Sequence, residues 1–174
     1  MAGKVEFKDF SIEVAAEIDE TTIAWLYEAS EEIKSQAQRT CQMGDDAGKQ
    51  LKGSYAAEVD EDKGLASVGT PLEAGYWEEY GTGEYADTAK NGGKPGRQGW
   101  WVYVKGQGPS ETVSAEYRDK EEAEAVAASM QADGLDAYAT NGREPHYTLE
   151  RSFDTKKEWS KDRLADMLKE RMKR

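Results

Sequence analysis

Cysteine and histidine are nearly missing from this chain of 174 residues, which holds one of each. The single Cys41 cannot close an internal disulfide. One Cys and one His cannot furnish a Cys/His zinc site within a single chain. Long apolar runs are also lacking: none approaches the roughly 20 residues that span a bilayer. The first residues hold no apolar core of a signal peptide, so the chain reads as made in the cytosol and soluble. Hydrophobic residues make up only 37% of the chain, with a mean hydropathy of -0.89, which is thin for a self-contained enzyme core. Positive charge is scarce through most of the length. Residues 151–174 carry nine basic and five acidic side chains, net +4, which leaves -16 of the total -12 for residues 1–150. Such an acidic body does not bind nucleic acid by neutralising phosphates, which requires clustered Lys and Arg.

What is present argues for a folded protein. Five Trp and nine Tyr are too many aromatics for a disordered chain, although a third of the residues are charged. The length suits one domain over residues 1–174, elongated and thinly cored, with room for an insertion.

The strongest helical pattern runs from Ile12 to about Thr40. Ala15, Ile18, Trp25, Leu26, Ala29, Ile33 and Ala37 form one stripe, with Glu17, Glu20, Glu28 and Glu31 opposite. Met43 to Gly48 is read as the turn that stops it, Lys49 to Val59 as a strand, and Leu65 to Val68 as its hairpin partner across the acidic turn Asp60–Gly64. Leu72 to Tyr80 is read as a strand leading into Gly81-Thr82-Gly83. On that reading the adjacent Glu78 and Glu79 point to opposite faces, one packed and one toward solvent or a neighbour. Gly83 to Gly99 is a glycine-rich loop, expected to be mobile until assembly. Trp100 to Val104 is a strand. Thr112 to Tyr117, a helix opened by the Asp119–Glu122 capping box, and Leu135 to Thr140 form a β-α-β unit over residues 112–140. Asn141-Gly142 is a turn. A basic final helix is expected from about Thr155.

Recognisable catalytic chemistry is hard to find. Gly93-Lys94-Pro95 has proline where a phosphate loop needs a hydroxyl residue, and Gly81-x-Gly83 lacks the third glycine of a dinucleotide fingerprint. His146 has no carboxylate at a recognisable spacing. A small hydrolase using Glu78 or Glu79 with His146 is the only enzymatic arrangement these residues suggest. The expectation is therefore no catalytic residue, no metal and no cofactor.

The order of the parts carries more information than any one of them. A long helix is followed by Asp46-Ala47-Gly48-Lys49-Gln50-Leu51-Lys52-Gly53-Ser54. Next come Tyr76-Trp77-Glu78-Glu79-Tyr80-Gly81-Thr82-Gly83, then Trp101-Val102-Tyr103-Val104, then Asn141-Gly142-Arg143-Glu144-Pro145-His146-Tyr147. This resembles the tailed-bacteriophage putative tail-component family, the neck, head–tail connector or tail-completion proteins of the head–tail joining gene cluster. Members read like Asp-Thr-Gly-x-Leu-x-x-Ser, then Tyr-x-x-Glu-Tyr/Phe-Gly-Thr-Gly, then a Pro-aromatic segment before a last helix. Here Ala47 replaces the Thr, and His146-Tyr147 stands where Pro-Phe is common. The likeness covers residues 12–111 and 141–174. Residues 112–140 depart from it and read as an insertion.

The resemblance implies an α+β fold: an antiparallel sheet packed by a long N-terminal helix and a C-terminal helix, with the β-α-β unit inserted. It implies a non-enzymatic minor tail or neck protein of the virion, made in the host cytoplasm. Its expected partners are itself, in a homo-oligomeric ring expected as a hexamer, and neighbouring head-closure, tail-terminator or tail-tube proteins. DNA passes the ring without sequence-specific binding, and no membrane is involved. Tyr76, Trp77, Glu79, Tyr80, Gly81, Thr82, Gly83, Trp101, Pro145 and His146 are the expected interface and structural residues. The alternative is a non-enzymatic protein-binding module of a phage or mobile element, with the β-α-β unit recognising the partner.

Overall fold

The computed structural model describes residues 12–13, 20–42, 46–105 and 116–172. The fold is α+β, with five helices and small antiparallel sheets among the described residues. It forms two compact units, residues 1–79 with 147–174, and residues 80–146. The second is wider than the 112–140 segment expected as an insertion.

In the first unit, α1 (Glu20–Thr40) lies against a three-stranded antiparallel sheet of order β1-β3-β2. The strands are β1 (Ile12–Glu13), β2 (Ala56–Asp60) and β3 (Leu65–Gly69). Trp25, Leu26, Ala29, Ile33 and Ala37 are all buried, as their stripe requires. The helix begins at Glu20; Ile12–Glu13 instead pairs with Leu65–Ala66 of β3. Ala15 and Ile18 of the expected stripe, Glu17 of the opposite face and the possible strand Val5–Phe10 lie outside the described residues. The β2–β3 hairpin forms where expected, with Lys63 N–H bonding Asp60 Oδ1 at 3.1 Å across the turn.

Two segments read as strands are wholly or partly helical: the first half of Lys49–Val59, whose end does form β2, and nearly all of Leu72–Tyr80. Residues 46–54 form α2 (Asp46–Ser54) and residues 73–80 form α3 (Glu73–Tyr80). Leu51, Tyr55 and Val59 are spaced by four, an interval that is even and also helical, and the helical period wins at its start: Gly48, Leu51 and Tyr55 are buried together. In α3, Gly75, Glu78 and Glu79 are buried at i, i+3 and i+4. Gly75 is required there, since a Cβ would run into the Thr70 methyl group. The Thr70 hydroxyl accepts the Leu72 N–H at 3.2 Å and starts the helix just after Pro71.

The last helix, α5 (Thr148–Met172), begins seven residues before the expected Thr155 and runs antiparallel to α1. Trp25 Nε1 donates to the Ser160 carbonyl at 2.7 Å. Lys156 Nζ meets Glu32 at 2.9 Å, Arg163 Nε meets Glu28 at 2.7 Å, and Arg171 reaches the Thr21 hydroxyl at 2.7 Å. Two of the nine basic residues at the end of the chain thus meet glutamates of α1, and a third reaches its first turn. Two apolar clusters underlie this layer. One gathers Ile33, Ala37, Cys41, Leu51, Tyr55, Val68 and Leu149. The other gathers Trp25, Leu26, Ala29 and Ala66, with Leu164 and Met167 packed on them.

The second unit holds β4 (Thr82–Gly83) paired antiparallel with β7 (Gly142–Arg143), and β5 (Trp101–Val104) paired antiparallel with β6 (Ala137–Thr140). Helix α4 (Lys120–Ala132) covers one face of β5–β6, where Val102, Val104, Ala123, Ala127 and Ala137 form the core. Asp119 caps the helix as expected, accepting Glu122 N–H at 2.9 Å, while Glu122 Oε2 accepts Arg118 N–H at 3.1 Å. Of the expected first strand of the β-α-β unit, residues 112–115 lie outside the described residues; Tyr117 bridges to Trp100. Residues 84–99 form no regular element, yet they are tied down internally. Asp87 N–H bonds the Tyr80 carbonyl at 2.8 Å, and the buried Asn91 bonds Lys94 in both directions at 2.9 Å.

Candidate functional site

The stretch from Tyr76 to Gly83 is a helix end followed by a glycine turn, and its two parts do different things. In a helix, adjacent residues are about 100° apart rather than on opposite faces. Glu78 and Glu79 therefore both enter the interior of the first unit, at 0% and 4% exposure. Neither is the solvent-facing member of a strand pair.

Each carboxylate ties α3 to distant chain. Glu78 Oε1 accepts Gln42 N–H at 2.7 Å, just past the end of α1, and the Thr148 hydroxyl at 3.0 Å. Glu79 Oε2 accepts Leu149 N–H at 2.8 Å, and Oε1 accepts Glu150 N–H at 3.0 Å. The first N–H groups of a helix have no partner within it and carry the positive end of its dipole. Glu79 thus serves as the N-terminal cap of α5 from another element. Burial pushes the Glu79 carboxyl above the usual glutamate range, opposed by the two backbone N–H groups and reinforced by the charges of Glu150 and Glu78.

Tyr147 occupies the capping position itself. Its carbonyl accepts Arg151 N–H at 2.8 Å, its own N–H bonds the Glu79 carbonyl at 3.3 Å, and its φ is 51°. A tyrosine in this left-handed region is strained, and the contacts on both sides hold it there. Beneath lie Tyr55 and the thiol of Cys41, both buried and hydrogen-bonded to each other. Burial, followed by the charges of Cys41, Glu78 and Glu79, pushes the Tyr55 hydroxyl far up. Cys41, Tyr55, Glu78 and Glu79 are each 4% exposed or less. The carboxylate oxygens already accept hydrogen bonds from the chain, so the cluster is built as a joint among three segments.

The glycine turn belongs to the second unit. Gly81 and Gly83 have φ of 71° and 61°. A Cβ on Gly81 would lie 2.6 Å from the Arg143 carbonyl and 2.9 Å from Pro145 N. A Cβ on Gly83 would lie 2.6 Å from Gly142 Cα and 2.6 Å from the Trp101 ring. The crossing of β4 over β7 is thus too close for any side chain at these positions. Arg97 stacks over Trp101 at 5.2 Å. Arg143 Nη2 lies 2.9 Å from His146 Nδ1. A guanidinium only donates, so Nδ1 is the acceptor and the ring hydrogen sits on Nε2.

Of the residues singled out in the sequence, Gly81, Thr82, Gly83, Trp101, Pro145 and His146 meet around this crossing. Tyr76, Trp77 and Glu79 belong to the first unit; Tyr76 and Trp77 are half-buried on α3, and Tyr80 is the buried residue at which the second unit starts. Glu78, Gln42, Tyr147 and Thr148 were missed as parts of the joint. Only the Glu78–Glu79 pairing in an apolar run hinted at buried carboxylates, and nothing local names their partners.

Among the described residues, no group of three or more His, Cys, Asp or Glu is placed to hold a metal ion. Among the same residues, no helix is long and apolar enough to cross a membrane. Comparison with family models, with curated proteins and with solved structures found no match to the chain.

Proposed function

We propose that this chain is a structural virion protein of a tailed bacteriophage, acting at the head–tail interface as a neck or tail-completion subunit and assembling as a multimer around the DNA channel. The observation that carries the reading is the segment Tyr76–Gly83. Its carboxylates are consumed in capping α5 and tying down the end of α1, and its glycines are consumed in a tight strand crossing. Both carboxylates and both glycines of the family-like motif are spent on architecture. The order of the motifs along the chain supports the same reading.

Charge supports it as well. Lys156, Arg163 and Arg171 are engaged with α1. The net charge of -12 leaves a surface past which DNA can slide without adhering. As subunit of a ring, the protein would work through fit and burial against its neighbours.

A non-enzymatic protein-binding module is the second reading, and it draws on one observation. Tyr103 and Tyr138 stack with centroids 5.5 Å apart on the β5–β6 face away from α4, each about two-fifths exposed (39% and 41%). Sedimentation velocity combined with electron microscopy of the purified protein separates the two. Closed rings, alone or with co-purified tail components, support the neck reading, whereas a monomer at every concentration and with every tail component supports the module.

A further inference from the structure

The β5–β6 pair has two faces of different kinds. Side chains alternate along a strand, so Val102, Val104, Ala137 and Ala139 pack under α4 while Trp101, Tyr103, Tyr138 and Thr140 take the other side. The inner end of that second face is closed: Arg97 lies over the Trp101 ring, and Gly83 approaches the same ring. At the outer end Tyr103 and Tyr138 stand directly opposite each other in the ladder, stacked and both exposed. Large side chains left together at a surface mark an interaction site, and tyrosine is among the residues that dominate binding energy.

The charges beside the two rings indicate what fits them. Lys105 N–H donates to the Asp136 carbonyl at 2.8 Å, which carries the ladder one pair further. Lys105 follows Tyr103 by two residues and Asp136 precedes Tyr138 by two, so both belong to the tyrosine face. The Tyr138 hydroxyl bonds the Asp136 carboxylate, which places that group on the same side. Lys105 and Asp136 are both exposed. In a chain of net charge -12, the outer end of this face therefore carries one cation and one anion side by side. A two-fold contact is self-complementary: residue i meets j of the second copy, and j meets i. An axis parallel to the strands and midway between them lays β5 of one copy over β6 of the other. Lys105 of each copy then meets the other's Asp136, with the four tyrosine rings between the two sheets. A partner of uniform charge would match only one of these two groups.

We propose that this face is where two copies of the chain meet, packed sheet on sheet about such an axis. Tyr103 and Tyr138 supply the buried area, and the crossed Lys105 and Asp136 pairs fix the register. The contact stands independently of the virion role, because the purified chain alone suffices to form it.

The test is sedimentation velocity of the full chain over a concentration series. The wild type should form a reversible dimer. Tyr138→Thr, which keeps a strand-favouring residue, should weaken association about tenfold or more. Lys105→Asp and Asp136→Lys should each weaken it as well, since each sets like charges across the axis. Mixed in equal amounts, these two variants should associate with one another. One brings two anions and the other two cations, so both crossed pairs are again opposite in sign. A wild type that is monomeric throughout, association untouched by Tyr138→Thr, or a mixture that gains nothing over its separate components would overturn the proposal. Association of the wild type only with a foreign protein would assign the face to that protein and equally overturn it. A dimer that behaves as expected while the coding sequence proves dispensable for particles would uphold this contact and refute only the virion role.

Discussion

Glu79 Oε2 lies 2.8 Å from the backbone nitrogen of Leu149, a residue 70 positions further along the chain. A carboxylate at the end of one short helix thereby caps α5, the longest helix among the described residues. Since α5 packs along α1, the cap also fixes where that packing starts.

Removing the acceptor should therefore cost more than an ordinary surface change. Glu79→Gln keeps one oxygen but turns an amide N–H₂ toward a backbone N–H, leaving a buried donor unsatisfied. The expected loss is about 1–3 kcal/mol, read from urea unfolding. A loss within about 0.5 kcal/mol, the usual range for surface sites, would mean that the cap contributes little.

The same carboxyl makes a signed prediction about pH. Its folded-state pKa is raised, with burial as the main cause. The folded state then holds the proton more tightly than the unfolded chain. The associated stability is fully present below the unfolded pKa and is lost as pH rises through the folded one. The advantage of wild type over Glu79→Gln should be largest near about pH 4 and narrow toward neutrality. A gap that widens with rising pH would show that the N–H groups of α5 outweigh burial.

Tyr147 offers the reverse kind of test, a substitution expected to do little harm. At φ 51° an asparagine or glycine is at ease. Tyr147→Asn should hold thermal stability level or raise it by up to about 1 kcal/mol, the relief of strain offset by lost ring contacts. Tyr147→Val should destabilise clearly more than Tyr147→Asn, because a β-branched residue resists this conformation. Equal melting temperatures for the two variants would contradict the strain.

Gly81→Val and Gly83→Ala should both disrupt the crossing of β4 and β7, costing upwards of about 2 kcal/mol through clash and φ together. Gly92→Ala is the control: its φ is 78°, but a Cβ there meets nothing within 4 Å. It should cost only about 1 kcal/mol. Amide spectra of the three variants would display the contrast, with β4 and β7 resonances displaced in the first two alone.

Much of the architecture was legible before any coordinates. The stripe from Trp25 to Ala37, the capping box at Asp119 and the bulky, β-branched run Trp100–Val104 are each unambiguous local signals. Residues 49–54 and 73–80 read as strands because a spacing of four satisfies both periods, and because Tyr and Trp favour strands when nothing else decides. The start of α5 was placed late for a different reason. Its cap is Glu79, not a Ser, Thr or Asp just upstream, so the usual local signal does not exist.

The joint itself was only half visible. A carboxylate pair inside an apolar motif was evident, and so was the need for glycines at 81 and 83. That Glu78 bonds Gln42 and Thr148, 36 and 70 positions away, follows from tertiary packing and has no trace in local composition. Its burial at 0% exposure is likewise set by the surrounding helices, not by neighbours in sequence.

The proposed virion role is tested most directly by disrupting this coding sequence in the genome that encodes it and examining any particles produced. An assembly subunit at the head–tail interface requires that heads and tails accumulate unjoined or incomplete, that infectivity fall by orders of magnitude, and that the protein be detected in rescued particles. Infectious particles of normal tail morphology that lack the protein would contradict the role.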